Sequence, residues 1–180
     1  PRILVSSKKP VRNMADLKGM KVRVPNIKVY TDAWRAFGVE PVPMPAADFY
    51  MGLRLGTIDG MENPVEVMAH WKIYEVAKYL SLTNHMHSGF FLIASKKFMD
   101  SLTDAQRNVL REAALEAQAG LAKANAEGER TLFDELRKKG MEIVEKPDVS
   151  AFVEASRKAH QQYIKDFGQP AYAEAVRPGN

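Results

Sequence analysis

The chain lacks cysteine altogether, although it has 180 residues. Disulfide bonds, thiolate metal sites and cysteine nucleophiles are therefore excluded. It also lacks any apolar run close to the roughly 20 residues that a membrane-spanning helix requires. The sequence has no Gly-x-Ser-x-Gly elbow, no phosphate-cradling glycine loop and no dinucleotide fingerprint, so the common enzyme signatures are absent as well.

A strong excess of one charge is also missing. The 26 lysines and arginines are scattered among 22 acidic residues, which leaves a net charge of +4. Nucleic-acid binding usually needs clustered basic residues with aromatic rings between them for base stacking. The basic clusters of this chain are short and have no such rings. We therefore predict no nucleic-acid partner, whereas the small basic excess favours small acids.

The chain begins at Pro1 rather than at a methionine and shows no signal peptide. We therefore expect it to be a processed or truncated piece. Its length permits one large domain or two small lobes.

Strand and helix patterns alternate along the chain as far as Pro64. This alternation is typical of a parallel sheet with right-handed crossovers, so an α/β fold is predicted. Strand-like segments continue at residues 73–82 and 90–95, and we expect the tail at 169–180 to dock loosely. The other predicted elements are strands at residues 21–24, 40–44, 57–61 and 141–144, and helices at 29–37, 46–55 and 148–167.

A long helical pattern begins at the capping box Thr103-Asp104-Ala105-Gln106. No proline or strong break follows before Gly140, so we expect a helix of about 35 residues, or about 50 Å at 1.5 Å per residue. Its apolar residues form an early and a late block around a polar stretch at 123–130. This arrangement indicates a helix that spans two lobes, and the alternative is a kinked pair of helices broken near Gly128.

Arg23 lies within an apolar strand pattern, Lys21-Val22-Arg23-Val24-Pro25, which the proline ends. A buried guanidinium is costly unless an anion or several acceptors meet it, and its rigid fork matches a carboxylate. Ligands of parallel sheets lie beyond the carboxyl ends of the strands, where Arg23 is expected. Arg23 is therefore a candidate carboxylate-binding residue. The alternative is an edge strand in which Lys21 and Arg23 face water.

Asn63 is expected at the same edge, in Asp59-Gly60-Met61-Glu62-Asn63-Pro64, where a strand pattern gives way to a helix pattern. An asparagine before a proline is a good N-cap, which is the purely structural interpretation. A helix N-terminus also attracts anions, so a capping residue can contact a ligand. Together, Arg23 and Asn63 predict a clamp for a carboxylate.

Several motifs in one order resemble the substrate-binding proteins of tripartite ATP-independent periplasmic (TRAP) transporters, the DctP-type family. The resemblance covers nearly the whole chain, and the shared order makes it more specific than any single motif. The motifs are Pro10 with Asp16-Leu17-Lys18-Gly19-Met20-Lys21-Val22-Arg23-Val24-Pro25, Phe37-Gly38-Val39-Glu40-Pro41-Val42-Pro43-Met44, Asp59-Gly60-Met61-Glu62-Asn63-Pro64, Tyr74-Glu75-Val76-Ala77-Lys78-Tyr79-Leu80 and Ala94-Ser95-Lys96-Lys97-Phe98.

The resemblance implies a type II periplasmic-binding-protein fold, whose two lobes close around a small organic acid and deliver it to the TRAP membrane permease. It implies a periplasmic protein without catalysis and without a cofactor. Residues 1–88 would form the second α/β lobe, with a parallel-rich sheet and crossover helices. Residues 89–128 would contribute to the first lobe, and 129–180 would return to the second, with the long helix as the bridge.

Family members have an upstream stretch of roughly 100 residues or more that builds most of the first lobe. We expect this chain to lack that stretch. It should then expose an apolar patch or associate with another chain.

The resemblance also assigns roles to individual residues. In this family the arginine of the Arg-Val-Pro motif pairs with the ligand carboxylate and the asparagine of Glu-Asn-Pro contacts the ligand, which points to Arg23 and Asn63. Asn26 matches members in which the next loop touches the ligand, and Arg2 matches a second arginine ahead of the Lys-Pro segment. Ala46 stands where some sialic-acid-binding members carry an aromatic residue, which argues against stacking on a sugar ring and leaves the acid open.

Two other classes of function are left open by the residues. His85 and His87 would place two rings on one face of a strand, as in a metal-assisted hydrolase, but a catalytic zinc requires a third protein ligand. Only folding could bring His70, His160 or a carboxylate there. The 104–139 helix could also serve a helical interaction protein. Its alanine-rich stripe would pack closely, which suits an internal interface or a homodimer equally well.

Overall fold

The computed structural model describes residues 1–87, 89 and 91–167, which form one six-stranded sheet with helices on both faces. The strands are β1 (Arg2–Ser6), β2 (Lys21–Val24), β3 (Glu40–Pro43), β4 (Gly60–Asn63), β5 (Tyr79–Met86) and β6 (Glu142–Val144). The helices are α1 (Lys28–Ala36), α2 (Phe49–Leu55), α3 (Val65–His70), α4 (Lys96–Asp100), α5 (Asp104–Lys138) and α6 (Ser150–Phe167).

The sheet has the strand order β3-β2-β4-β1-β5-β6 and is mostly parallel. β2 runs parallel to β3 and β4, and β5 runs parallel to β6, which confirms the predicted α/β fold with a parallel-rich sheet. β1 is antiparallel to both of its neighbours, β4 and β5. This central strand is not predicted from the sequence, because all five of its residues are buried and the run therefore shows no apolar–polar alternation.

Two hydrophobic cores lie on the two faces of the sheet, which gives three layers. One core packs α2, α3 and the last turns of α5 against the sheet. The other packs α1 and α6 against the opposite face. Because side chains alternate along a strand, Ile3, Val5 and Met61 belong to the first core and Leu4 to the second.

Several predicted elements are shifted or absent. The strand predicted at 57–61 lies later, at Gly60–Asn63, and the segment at 73–82 becomes a strand only from Tyr79, after a 3₁₀ turn at Ile73–Glu75. Residues 91–95 form no strand, contrary to the prediction for 90–95, since no described strand lies beside them to pair with. Phe90 itself and the tail at 169–180 lie outside the described residues.

The long helix is confirmed. α5 starts at the capping box of Thr103 and Gln106 and continues without interruption for 35 residues, so the alternative of two helices broken near Gly128 is wrong. Its late residues Leu132 and Leu136 pack on the first core, whereas Leu121, at its middle, is 62% exposed and Val109, in its early part, is 63% exposed.

The expected apolar surface is present. It comprises exposed side chains of α4, of α5 and of the segment before them: Phe91, Leu92, Ile93, Phe98, Val109, Leu110, Leu115 and Leu121. What covers this surface, the assignment of residues 89–128 to a first lobe and a homodimer all stay predictions.

Candidate functional site

The sheet brings the predicted residues to one edge because of the direction of β1. The carboxyl ends of β2 and β4 lie side by side, which places Arg23 near Asn63. β1 runs the other way, so its first residues reach the same edge, with Ile3 opposite Asn63 and Arg2 opposite Met86. Arg23, Asn63 and Arg2 therefore lie along one edge, although they are distant in sequence.

Arg23 is buried, with 4% of its surface exposed, and it lies in an interior strand. The alternative of a water-facing edge strand is therefore wrong. Nε and Nη2 both donate to the backbone carbonyl of Met44, at 2.8 and 2.6 Å, and the guanidinium carbon lies 5.6 Å from the ring centre of Phe49.

No carboxylate within the described ranges forms an ion pair with Arg23. Nη1 of Arg23 has no hydrogen-bond partner among the described residues. This atom is not fully buried, so solvent reaches this end of the guanidinium. Burial lowers the pKa of Arg23; Glu62 acts to raise this pKa and Arg2 acts to lower it further. An anion at Nη1 would supply the missing counter-charge.

Arg2 differs from Arg23 because it has an internal counter-charge, the fully buried carboxylate of Glu62. Nε donates to Oε2 of Glu62, and Nη2 donates to Oε1 at 2.8 Å and to the Glu62 carbonyl at 2.9 Å. The guanidinium carbon also lies 5.4 Å from the ring centre of Tyr30. Burial acts to lower the pKa of Arg2, but the hydrogen bonds and charge of Glu62 outweigh it and the pKa is raised.

The network continues to His85 through a bulge in β5. Nε2 of His85 lies 3.2 Å from Oε2 of Glu62, and Nδ1 lies 2.8 Å from the hydroxyl of Thr83. The register between β1 and β5 shifts between Ser81, opposite Leu4, and Met86, opposite Arg2, and Asn84 within this stretch has a positive φ of 43°. Such bulges re-aim side chains, here the buried ring of His85. Glu62 and Thr83 join this candidate site although the sequence did not predict them. The only signal available for Glu62 is its position in the strand motif, directly before Asn63.

Asn63 does not cap a helix. It is the last residue of β4, and α3 begins at Val65 with Pro64 as its N-cap and no side-chain cap, so the N-cap interpretation is wrong. Oδ1 of Asn63 instead accepts a hydrogen bond from Nη2 of Arg2 at 3.1 Å. The side chain is therefore fixed by its neighbour across the sheet.

A cavity of about 420 Å³ opens beside Asn63, between the strand ends, the start of α3 and the middle of α5. Arg2 and Asn63 form part of its wall, but Arg23 and Asn26 do not. Asn26 is exposed, and its side chain makes no hydrogen bond to any described residue. The remaining polar residues of the wall are Glu66, Asn125 and Glu129.

The metal-site alternative has no geometric support. β5 ends at Met86, so His87 follows the strand and does not share a strand face with His85. Across the part of the chain that the structure covers, no group of three or more His, Asp or Glu residues could hold a metal ion. His85 is already engaged with Glu62 and Thr83.

The profile of the family described as "Bacterial extracellular solute-binding protein, family 7", DctP, matches residues 2–166. The chain belongs to the DctP family. Among its DctP relatives, the 2,3-diketo-L-gulonate-binding periplasmic protein of Escherichia coli is 35% identical over 94% of this chain and 52% of its own length.

Two solved TRAP periplasmic solute-binding proteins have the same fold. The protein from Polaromonas sp. JS666, bound to D-erythronate, superposes with a TM-score of 0.90 at 36% identity and covers 96% of this chain and 57% of its own. The protein from Xanthobacter autotrophicus Py2, with bound β-D-galacturonate, gives a TM-score of 0.88 at 28% identity over 96% and 56%. This DctP-family chain therefore spans about half the length of the relatives it matches.

DctP-family proteins and these relatives are solute-binding proteins, not enzymes, so the hydrolase alternative is not supported. No described helix of this family member has the length and apolar character needed to cross a bilayer.

Proposed function

We propose that this chain is the ligand-binding part of the extracytoplasmic solute-binding component of a TRAP transporter. It captures a small organic acid by its carboxylate in the periplasm and delivers it to the membrane permease. Family membership and the acids bound by the relatives support this function. The process is capture without chemistry, because binding energy and lobe closure are all that it requires.

The single observation that carries the proposal is the state of Arg23. Its guanidinium is buried at the carboxyl end of a strand, makes hydrogen bonds only to one backbone carbonyl and has no counter-charge of its own within the described residues. A ligand carboxylate would accept the hydrogens that remain and neutralise the charge. Asn63, on the neighbouring strand, would donate its amide hydrogens to the same ligand, and Asn26 would touch it from the exposed loop.

The ligand we propose is a polyhydroxy monocarboxylic acid. The relatives bind erythronate, galacturonate and diketogulonate, which share one carboxylate and several oxygens. The cavity beside Asn63 carries the carboxylates of Glu66 and Glu129, which accept hydrogen bonds from hydroxyl groups and repel a second carboxylate.

Closure would involve the long helix. We propose that residues 89–128 contribute to a first lobe and that α5 bridges the two lobes. In support, Leu132 and Leu136 pack the late part of α5 against the core, whereas apolar side chains of its early part are exposed. Ligand binding that favours the closed arrangement would shift the lobes together by hinge motion.

Arg23→Lys in the natural full-length protein tests the proposal. The lysine keeps the charge but loses the planar fork, and a charge-assisted hydrogen bond contributes roughly 1.5 to 3 kcal/mol, so we expect about 10- to 150-fold weaker binding. Calorimetry with D-erythronate, D-galacturonate and 2,3-diketo-L-gulonate measures the affinity, and native mass spectrometry detects a co-purified acid. Arg35→Lys, at an exposed arginine of α1, is the matched control and should leave binding unchanged.

Unchanged affinity in Arg23→Lys would contradict the role of Arg23. A wild-type protein that binds none of the three acids and carries no acid after purification would contradict the function itself.

Succinate tests the ligand class, because it has the four carbons of erythronate but two carboxylates. We expect succinate to bind at least about tenfold more weakly than D-erythronate, owing to repulsion by Glu66 and Glu129. The double variant Glu66→Gln/Glu129→Gln should reduce the difference in affinity between D-erythronate and succinate. Equal affinity for both acids in the wild-type protein would rule out a monocarboxylate preference.

A further inference from the structure

We infer that Phe49 is a positioning residue for Arg23: its ring attracts and holds the guanidinium without neutralising it, so that the charge stays available to the acid. The inference rests on the proposed function, because it assigns a role in presenting the arginine that binds the carboxylate. Phe49 is only 1% exposed, so it acts through Arg23 and does not touch the acid itself.

Phe49 reaches Arg23 because of the way β3 continues into α2. After β3 the chain makes a 3₁₀ turn at Ala46–Asp48 and enters α2 at Phe49. The Met44 carbonyl just before this turn and the Phe49 ring just after it both contact the side chain of Arg23. The guanidinium carbon lies 5.6 Å from the ring centre. One short segment therefore supplies both contacts.

The two contacts of Arg23 act in different ways. Nε and Nη2 donate to the Met44 carbonyl, at 2.8 and 2.6 Å, which fixes one end of the guanidinium. The ring of Phe49 attracts the cation through the negative potential of its face. A ring carries no net charge, so it does not cancel the charge of Arg23 as a carboxylate would. Nη1 has no hydrogen-bond partner among the described residues and remains for a ligand.

The ring of Phe49 is itself held in place by its neighbours. It belongs to the first core, together with Leu53 and Ile58. The indole of Trp71 packs against it, with 4.9 Å between the ring centres, and is 40% exposed. Trp71 thus forms part of the cover that separates Phe49 from solvent. A closely packed ring gives the guanidinium one fixed surface to lie against.

This positioning should contribute to affinity. Without the ring, Arg23 keeps its hydrogen bonds to Met44 but loses the attraction that restrains the rest of the guanidinium. The ligand must then order this side chain on binding, and ordering one mobile side chain typically weakens binding about two- to tenfold. The expected loss is smaller than that of Arg23→Lys, because the fork of Arg23 is still present.

The test replaces Phe49 in the natural full-length protein in two ways. Phe49→Met keeps an apolar side chain and removes the ring, whereas pentafluorophenylalanine in place of Phe49 keeps the shape but reverses the charge distribution of the ring face. With ¹⁵N-labelled arginine, we expect Nε–H of Arg23 to exchange with water faster in both ligand-free variants than in the wild-type protein. Should Phe49→Met not fold, the fluorinated protein gives the same measurement.

Affinity is the second measurement. We expect the tightest acid among D-erythronate, D-galacturonate and 2,3-diketo-L-gulonate to bind about two- to tenfold more weakly in both Phe49 variants, as measured by calorimetry.

Phe37→Met is the control that separates positioning from general damage to packing. Phe37 is 3% exposed and lies in the second core, where its ring contacts Trp34 and Phe152 edge to face. The replacement removes a ring of the same size from a site of similar burial, so we expect a loss of stability comparable to that of Phe49→Met. The Arg23 signal and the affinity should stay at their wild-type values.

An unchanged exchange rate of Arg23 Nε–H in both Phe49 variants would overturn the inference. So would a fluorinated protein that behaves like the wild type, because the ring would then only fill space, and so would equal losses of affinity in Phe49→Met and Phe37→Met. A wild-type protein that binds none of the three acids, but whose Arg23 signal responds to both replacements of Phe49, would refute the proposed function and leave the positioning of the guanidinium established.

Discussion

Two arginines lie at the same edge of the sheet, one on each face, and their surroundings differ. Arg2 shares the face of Leu4 and has the buried carboxylate of Glu62 as its partner. Arg23 lies on the face of Met61 and Phe49, and the Met44 carbonyl is its only hydrogen-bond acceptor among the described residues. Burial costs both charges their hydration. Glu62 offsets the cost within the fold for Arg2. No described carboxylate pairs with Arg23, and under the proposed function the carboxylate of the bound acid would offset the cost there.

The largest effect should come from breaking the internal pair. Arg2→Leu leaves the carboxylate of Glu62 buried without its charge partner, and loss of one partner of such a pair destabilises a protein by roughly 3–5 kcal/mol. Denaturant unfolding of the ligand-free protein measures this. Arg12→Leu, which removes an exposed partner of Glu142, should cost less than about 1 kcal/mol. Equal small losses in both variants would mean that the Arg2 pair does not stabilise the fold.

Removing Arg23 should have little effect on stability but should abolish the response to ligand. Arg23→Met deletes a buried charge that has no internal counter-charge among the described residues, so we expect the free energy of unfolding without ligand to change by less than about 1 kcal/mol, or to rise. The same variant should show no increase in melting temperature when acid is added. A loss of stability as large as that of Arg2→Leu would make Arg23 a structural residue and remove the contrast between the two.

The sequence allows Arg23 to be placed but not the pairing of Arg2. Arg23 and Asn63 can be predicted at one edge because crossover connections bring the carboxyl ends of parallel strands together, and this rule needs only the order of the elements. Arg2 reaches that edge through an antiparallel strand whose partners lie about 60 and 80 positions away. No local pattern specifies such a pairing, so the contact with Glu62 is not predictable from the sequence.

The same difference between local signals and long-range pairing determines which helices and strands can be predicted. α5 is predicted from its capping box and from the lack of breaks, which are local signals. The segment at 91–95 has apolar residues that suit a strand, but a strand exists only where another strand accepts its hydrogen bonds. Leu115 and Leu121 of α5 belong to the same exposed surface as this segment. The segment therefore has neither a described strand to pair with nor a core to bury its apolar side chains.

The smallest effect on stability is expected at Asn26, which lies just beyond the strand of Arg23. Its side chain is exposed and makes no hydrogen bond to a described residue, so Asn26→Ala should change the free energy of unfolding by no more than about 0.5 kcal/mol. Binding is then a separate measurement, because stability is not expected to change. A several-fold loss of affinity at constant stability would support the predicted ligand contact by this loop. Unchanged affinity would mean that the loop of Asn26 does not contribute to binding. Recognition of the acid would then depend on residues of the strands, with Arg23 as the arginine that lacks an internal counter-charge among the described residues.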